Sequence, residues 1–153
     1  MSSNEPDNYE LCENLLLPKD YIRYRFTGVA AMDYSDGAGT LLMDVKNKKW
    51  SRTLVNKLGI EKDILPPLVN STDQGGKISE DVSQITGLDP GIPVIAGGAD
   101  NACGAIGSGI IELGRAMVSI GSSGVVLAPS EQYQINTGGK LHLFNHAVSK
   151  KYY

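Results

Sequence analysis

Asp100 is the residue of this chain best placed to act as a base. It follows Pro93-Val-Ile-Ala96, four apolar or small residues that predict a short buried strand, and Gly97-Gly98, which allow a tight turn that side chains would block. A helix is predicted to open at Asp100, kept slim by Ala102, Cys103, Ala105 and Ile106 so that it can lie close to other backbone. A carboxylate at such a corner sits at the open end of a sheet, where α/β folds place ligands. The same position also suits a structural role, because Asp is a preferred N-cap whose carboxylate satisfies an orphan N–H of the first turn. A second candidate is Gly121-Ser122-Ser123-Gly124, which separates two period-two stretches, Arg115–Ile120 and Val125–Leu127. It is short enough to be a plain hairpin turn. Its amides and hydroxyls could equally hold phosphate oxygens.

The elements that must position these groups can be read in order. Asn4 can cap a first helix with Asp7 at its third position, on which Tyr9, Cys12, Leu15 and Leu16 share a face until Pro18 interrupts the pattern. A second helix is predicted over Lys19–Phe26, with Ile22 and Phe26 on one side and Gly28 ending it. Asp33 to Thr40 reads as a polar, flexible surface turn, and Leu41-Leu-Met43 would pin it against the core. Trp50, Leu54, Val55 and Leu58 form a helical stripe for core packing, with Gly59 at a left-handed C-cap and Ile60 folding back on the last turn. Lys77-Ile78 ends a strand. Ser79 then caps a helix with Glu80 and Asp81 in its first turn, the sign the dipole favours, and Gly87 closes it. Glu131–Lys140 is a loop and Leu141–Val148 a candidate strand.

Composition narrows the class. The chain has 153 residues, enough for one modest core, and 18 glycines with a hydrophobic fraction of 41% point to a loop-rich α/β fold. The net charge of −3, without a basic stripe, argues against nucleic acid as a partner. No apolar run approaches bilayer length and no signal peptide opens the chain, so no membrane partner and a cytoplasmic location are expected. Cys12 and Cys103 are expected to be reduced, and His142 and His146 lack the partners a zinc site needs. Gly139-Lys140 has no following Ser or Thr and is not a Walker A loop. Gly104, Gly107 and Gly109 are in the wrong order for a dinucleotide fingerprint, and neither Ser122 nor Ser123 sits in a nucleophile elbow. Asp33 to Thr40 fails the ligand spacing of a calcium loop.

Several stretches together resemble the FGGY family of carbohydrate kinases, and within it most the xylulose kinase branch. They are Leu16-Leu-Pro-Lys-Asp20-Tyr-Ile-Arg-Tyr-Arg25-Phe-Thr-Gly28, Ser35-Asp-Gly-Ala-Gly-Thr40-Leu-Leu-Met-Asp44 with Trp50-Ser51, Gly97-Gly-Ala-Asp100-Asn-Ala-Cys-Gly-Ala105, Ser119-Ile-Gly-Ser-Ser-Gly124, and Leu141–Val148 with its His-Ala-Val. The resemblance implies two actin-like (ribonuclease-H-like) domains facing one cleft, with sugar deep inside and ATP with Mg2+ across it. It implies an interior fragment: residues 1–113 would finish the sugar-binding N-terminal domain and 114–153 begin the ATP-binding C-terminal one. The family's catalytic base maps to Asp100, which would also bind substrate, and Asn101 would touch the sugar. Gly121, Ser122, Ser123 and Gly124 map to a phosphate loop for ATP, with Ser122 in place of the usual Thr. No metal ligand is assigned, and the loop from Ser35 to Thr40 would line the interior near the sugar.

The expected reaction is ATP-dependent phosphorylation of D-xylulose to xylulose 5-phosphate by the full-length parent, the fragment alone being inactive. Alternatives are another acceptor such as glycerol or gluconate, or a non-catalytic binding or assembly module on the same scaffold. Exposed sheet edges could also pair two copies as a homodimer.

Overall fold

The computed structural model describes residues 4–135 and 138–153. Asn136 and Thr137, inside the predicted 131–140 loop, lie outside the described residues. Helix α1 spans Pro6–Glu10 and α2 Pro18–Thr27; β1 (Met32–Asp33), α3 (Tyr34–Gly39), β2 (Met43–Asp44), β3 (Lys49–Trp50) and α4 (Arg52–Lys57) follow. Then come β4 (Leu68–Val69), β5 (Gln74–Lys77), α5 (Glu80–Thr86), β6 (Pro93–Ile95), α6 (Asp100–Gly107), β7 (Met117–Ile120) and β8 (Gly124–Leu127). The strands form four two-stranded ladders: β1 with β4 is parallel, while β2 with β3, β5 with β6, and β7 with β8 are antiparallel.

α2 departs from the predicted pattern in an instructive way. Pro18 opens it, where a missing N–H costs nothing, and Gly28 closes it at φ 71. Its buried residues are Asp20 and Arg23, whereas Ile22 is exposed and Phe26 only half-buried. Arg23 turns inward because buried backbone acceptors need donors: Nη1 donates to the Ala96 carbonyl at 2.9 Å and Nη2 to the Ala31 carbonyl. Two glycines of β5 make room. A Cβ on Gly75 would lie 2.6 Å from Arg23 Cδ, and one on Gly76, where φ is 138, 2.4 Å from Thr27 Cβ.

The Asp33 to Thr40 stretch is not a surface turn. It is the six-residue helix α3, with Ser35, Gly37 and Ala38 buried. Small side chains permit this, since a Cβ on Gly37 would come within 2.9 Å of Leu68 Cδ2 and 3.1 Å of Met43 Sδ. Met43 is buried as expected, but Leu41 is exposed. In the Trp50–Leu58 stripe only Val55 is buried; Trp50 belongs to β3, its indole N–H donating to the Pro66 carbonyl at 2.8 Å, while Leu54 and Leu58 are exposed. The predicted C-cap forms: Gly59 has φ 64, its amide reaches Asn56 O, and the Ile60 amide reaches Val55 O. Ser79 caps α5 through the Val82 amide, and Gly87 ends it at φ 75.

Three other expectations fail. Glu5, not Asn4, is the N-cap of α1, and the helix stops before Cys12, so the four-residue face never assembles. β6 is not buried: Pro93 and Ile95 are exposed, Val94 is half-buried, and only Ala96 beyond it is closed from solvent. Leu141–Val148 is not a strand. It joins the chain's last residues through one bridge, Asn145 with Tyr152, and paired amide–carbonyl bonds between Phe144 and Tyr153.

Candidate functional site

The turn ahead of Asp100 is fixed from several sides. Ala96 and Gly97 donate their amides to the carbonyls of Asp73 and Ser71, at 2.9 and 3.0 Å. Gly97 takes φ 78, a conformation that favours glycine. A Cβ on Gly98 would press on Ser35 Oγ at 3.2 Å and on Ala147 Cβ and Cys103 Sγ at 3.3 Å. The Ala99 amide donates to Ser35 Oγ at 2.9 Å. α6 then begins, with Ala102 and Ala105 turned into the core and Cys103 and Ile106 exposed. Its C-terminus closes through Gly109 at φ 72, with the Ile110 amide bonding Ala105 O.

Asp100 is exposed and occupies the first turn of α6, but it is not the N-cap. That position is Ala99, at φ −54, which has no capping side chain. Asp100 Oδ1 accepts the Asn101 amide at 2.6 Å, so the carboxylate satisfies one orphan donor from inside the helix and stays open to solvent. The positive end of the helix dipole favours its charge there. Asn101 is half-buried beside it.

Beneath the turn lies a charged network that the sequence pattern did not single out. Lys19 Nζ reaches Asp20 Oδ1 at 2.8 Å, Asp33 Oδ1 at 3.1 Å, Asp36 Oδ2 at 3.3 Å and the Ala96 carbonyl at 3.2 Å. Asp33 Oδ2 accepts the Ser35 amide at 2.9 Å, the Ser35 hydroxyl at 2.5 Å and the Ser71 hydroxyl at 2.6 Å. Burial opposes the charge on Lys19, but the hydrogen bond to Asp20 and the charges of Asp33 and Asp20 outweigh it, and its pKa rises above 10.5. Burial, against the pull of Lys19, raises Asp36 above 3.8. Burial, then the negative charges of Asp36, Asp100 and Asp33, pushes the Tyr153 phenol above its ordinary range and keeps it protonated. A sequence signal for part of this network did exist: Asp33 two residues before Ser35 is the pattern of an Asp N-cap.

Gly121, Ser122, Ser123 and Gly124 form the exposed tip of the β7–β8 hairpin, where the Gly121 amide donates to the Ser123 carbonyl at 2.8 Å and Ile120 pairs with Gly124. Met117 of β7 comes near α6, its Sδ 3.8 Å from where a Cβ on Gly104 would lie. Among the described residues no hydrogen bond joins Asp100 to the serine turn. Nor, among the described residues, do three His, Cys, Asp or Glu side chains gather as a metal cage. Three carboxylates do converge near Asp33, but the Lys19 ammonium stands among them. Burial keeps His146 below 6.5, its Nδ1 accepting the Val148 amide. A groove of about 440 Å³ is lined by residues such as Met43, Leu54, Tyr133 and Phe144, and neither Asp100 nor the serine turn lines it.

Comparison with known proteins bears on this arrangement. The N-terminal domain of the FGGY family of carbohydrate kinases matches residues 1–107. A xylulose kinase from Bacillus subtilis (strain 168) is 46% identical over 153 residues, covering 100% of this chain and 31% of that protein. The crystal structure of a xylulose kinase from Brucella ovis superposes with a TM-score of 0.90 at 34% identity, over 99% of this chain and 31% of that one. A gluconate kinase from Lactobacillus acidophilus shares the fold, with a TM-score of 0.88 at 24% identity over 99% of this chain and 31% of that one. The chain thus spans about a third of the length of the proteins it matches. Among the described residues no helix is long and apolar enough to cross a membrane.

Proposed function

This chain belongs to the FGGY family of carbohydrate kinases and folds as part of the actin-like ATPase fold, and from that membership we propose that its full-length protein transfers the γ-phosphoryl group of ATP to D-xylulose. The observation that carries the reading is Asp100, an exposed carboxylate that follows a turn hydrogen-bonded to Ser35, Ser71 and Asp73. Phosphoryl transfer needs little covalent chemistry from a protein; it needs positioning, a proton acceptor and balanced charge. Asp100 accepts the proton of the sugar's terminal hydroxyl. The hydroxyl oxygen forms a bond to the γ-phosphorus as the bond from that phosphorus to the β,γ-bridging oxygen breaks, leaving xylulose 5-phosphate and ADP. Asn101, one position on, contacts the sugar. Gly121, Ser122, Ser123 and Gly124 offer amides and hydroxyls to the phosphate oxygens of ATP.

Mg2+ would arrive with ATP and, when bound, would neutralise charge on the phosphates. Among the described residues no group of three His, Cys, Asp or Glu side chains forms a cage for it. In this reading residues 1–113 complete the sugar-binding domain, 114–153 open the ATP-binding domain, the enzyme works in the cytoplasm, and the 153-residue piece alone does not turn over.

A substrate panel on the full-length enzyme tests the proposal. With ADP release as the readout, D-xylulose should give a kcat/KM at least about 100-fold above glycerol and gluconate, well short of the roughly 10⁴- to 10⁵-fold by which a site that hydrogen-bonds its substrate can reject an analogue lacking the group. Preference for either alternative overturns the choice of sugar, and no sugar-dependent ADP release overturns the kinase reading.

A further inference from the structure

We propose that Ser35 is a positioning residue for the Asp100 carboxylate, holding the start of α6 to a buried anchor at Asp33. The inference rests on the reading of Asp100 as the base. Its starting point is a chain of bonds with a defined direction. Asp33 Oδ2 takes three donors, from the Ser35 amide, the Ser35 hydroxyl and the Ser71 hydroxyl, and Oδ1 takes the Lys19 ammonium. Asp33, Ser35 and Ser71 are all buried, so water does not compete for these bonds. A serine hydroxyl has one proton, and here Asp33 receives it at 2.5 Å. The lone pairs of Ser35 Oγ are left to accept, and the Ala99 amide supplies the donor at 2.9 Å.

Ala99 is the residue immediately before Asp100 and the N-cap of α6. Fixing its amide fixes where the helix begins, and with it the aim of the carboxylate. Ser35 also acts as a wall, since a Cβ on Gly98 would lie 3.2 Å from its hydroxyl. The β1–α3 junction and the β6–α6 junction are thereby tied together across 64 residues of sequence. Asp33, Ser35 and Ser71 sit away from solvent, whereas Asp100 is exposed, so Ser35 acts through Asp100 and not on the sugar itself. A displacement of about 1 Å in a reacting group can cost about 100-fold in rate.

The test is a double-mutant cycle in the full-length kinase, measured as D-xylulose-dependent ADP release with thermal melts alongside. Ser35→Ala should lower kcat about 10- to 100-fold and move KM for sugar and ATP less than about threefold, because base geometry matters mainly in the transition state. Ser35→Cys keeps the volume but accepts hydrogen bonds weakly, and should also lower kcat; it carries the test if Ser35→Ala does not fold. In an Asp100→Asn background the Ser35 substitutions should change the residual rate less than about twofold, an interaction that a merely structural loss would not produce. Wild-type kcat in the Ser35 variants, or the same fold-loss in both backgrounds, overturns the inference while leaving the kinase reading intact. An Asp100→Asn enzyme with normal turnover overturns the base assignment and the inference with it.

Discussion

Arg23 is the side chain whose removal should disturb this fold most. It is buried, donates to Asp20 at 3.0 Å and to two backbone carbonyls, and has Gly75 shaped around its stem. At that separation and an effective dielectric of about 20, the Arg23–Asp20 attraction is about 5–6 kcal/mol before desolvation is counted. Removing one partner of a buried pair typically costs about 3–5 kcal/mol, because the other charge stays buried without compensation. Lys19 also holds Asp20, at 2.8 Å, and will compensate in part, so Arg23→Met should cost about 3 kcal/mol. That is a large share of the roughly 5–15 kcal/mol that stabilises a domain. Urea denaturation would measure it. The double variant Asp20→Asn with Arg23→Met should cost at least about 1 kcal/mol less than the two single losses added together. A loss below about 1 kcal/mol for Arg23→Met, or strict additivity in the pair, would refute the view that this helix is anchored by its buried charges.

The remaining predictions concern three other regions. Gly76→Ala should lose at least about 2 kcal/mol in the same melts, since φ 138 and a Cβ 2.4 Å from Thr27 both oppose it, whereas Gly121→Ala, with open space around it, should stay within about 0.5 kcal/mol. Lys19 has a folded pKa raised above 10.5, so its stabilising contribution is complete below pH 10.5 and is lost as pH rises through the raised value. The stability gap between the wild type and Lys19→Met should therefore narrow in urea melts above pH 10.5, and a gap that stays constant to pH 12 would contradict this. Ser122→Ala and Ser123→Ala should each raise KM for ATP about threefold to tenfold, the worth of one hydrogen bond, without moving the melting temperature; unchanged KM in both would remove the hairpin tip from phosphate binding.

What the sequence made legible was local. Gly97-Gly98 before Asp100, Ser79 before two acids, Gly59 before Ile60 and the Gly121–Gly124 turn each carry their geometry in a few neighbouring residues, and each forms as expected. The face of α2 was not legible. Hydrophobic periodicity assumes that apolar side chains face inward, but Asp20 and Arg23 are drawn in by the carbonyls of Ala31 and Ala96 and by the Lys19 ammonium. Ala96 lies 73 residues from Arg23, and the Lys19–Asp20 pair, though adjacent in sequence, turns inward with it rather than following the apolar period. The same limit applies to α3, where Gly37 looks flexible until Leu68 is seen packed against it. It applies again to Ser35, whose partner Ala99 lies 64 residues away. The candidate base could be found from its own neighbourhood; the frame that aims it could not.

The central claim is that Asp100 takes the proton from the sugar hydroxyl. Measuring kcat for D-xylulose phosphorylation by full-length Asp100→Asn tests it most directly, because the substitution keeps shape and removes the proton acceptor. The account predicts a loss of about 10²- to 10⁴-fold with melting temperature unchanged to within about 3 °C. Turnover within about threefold of wild type by a folded Asp100→Asn enzyme would contradict it.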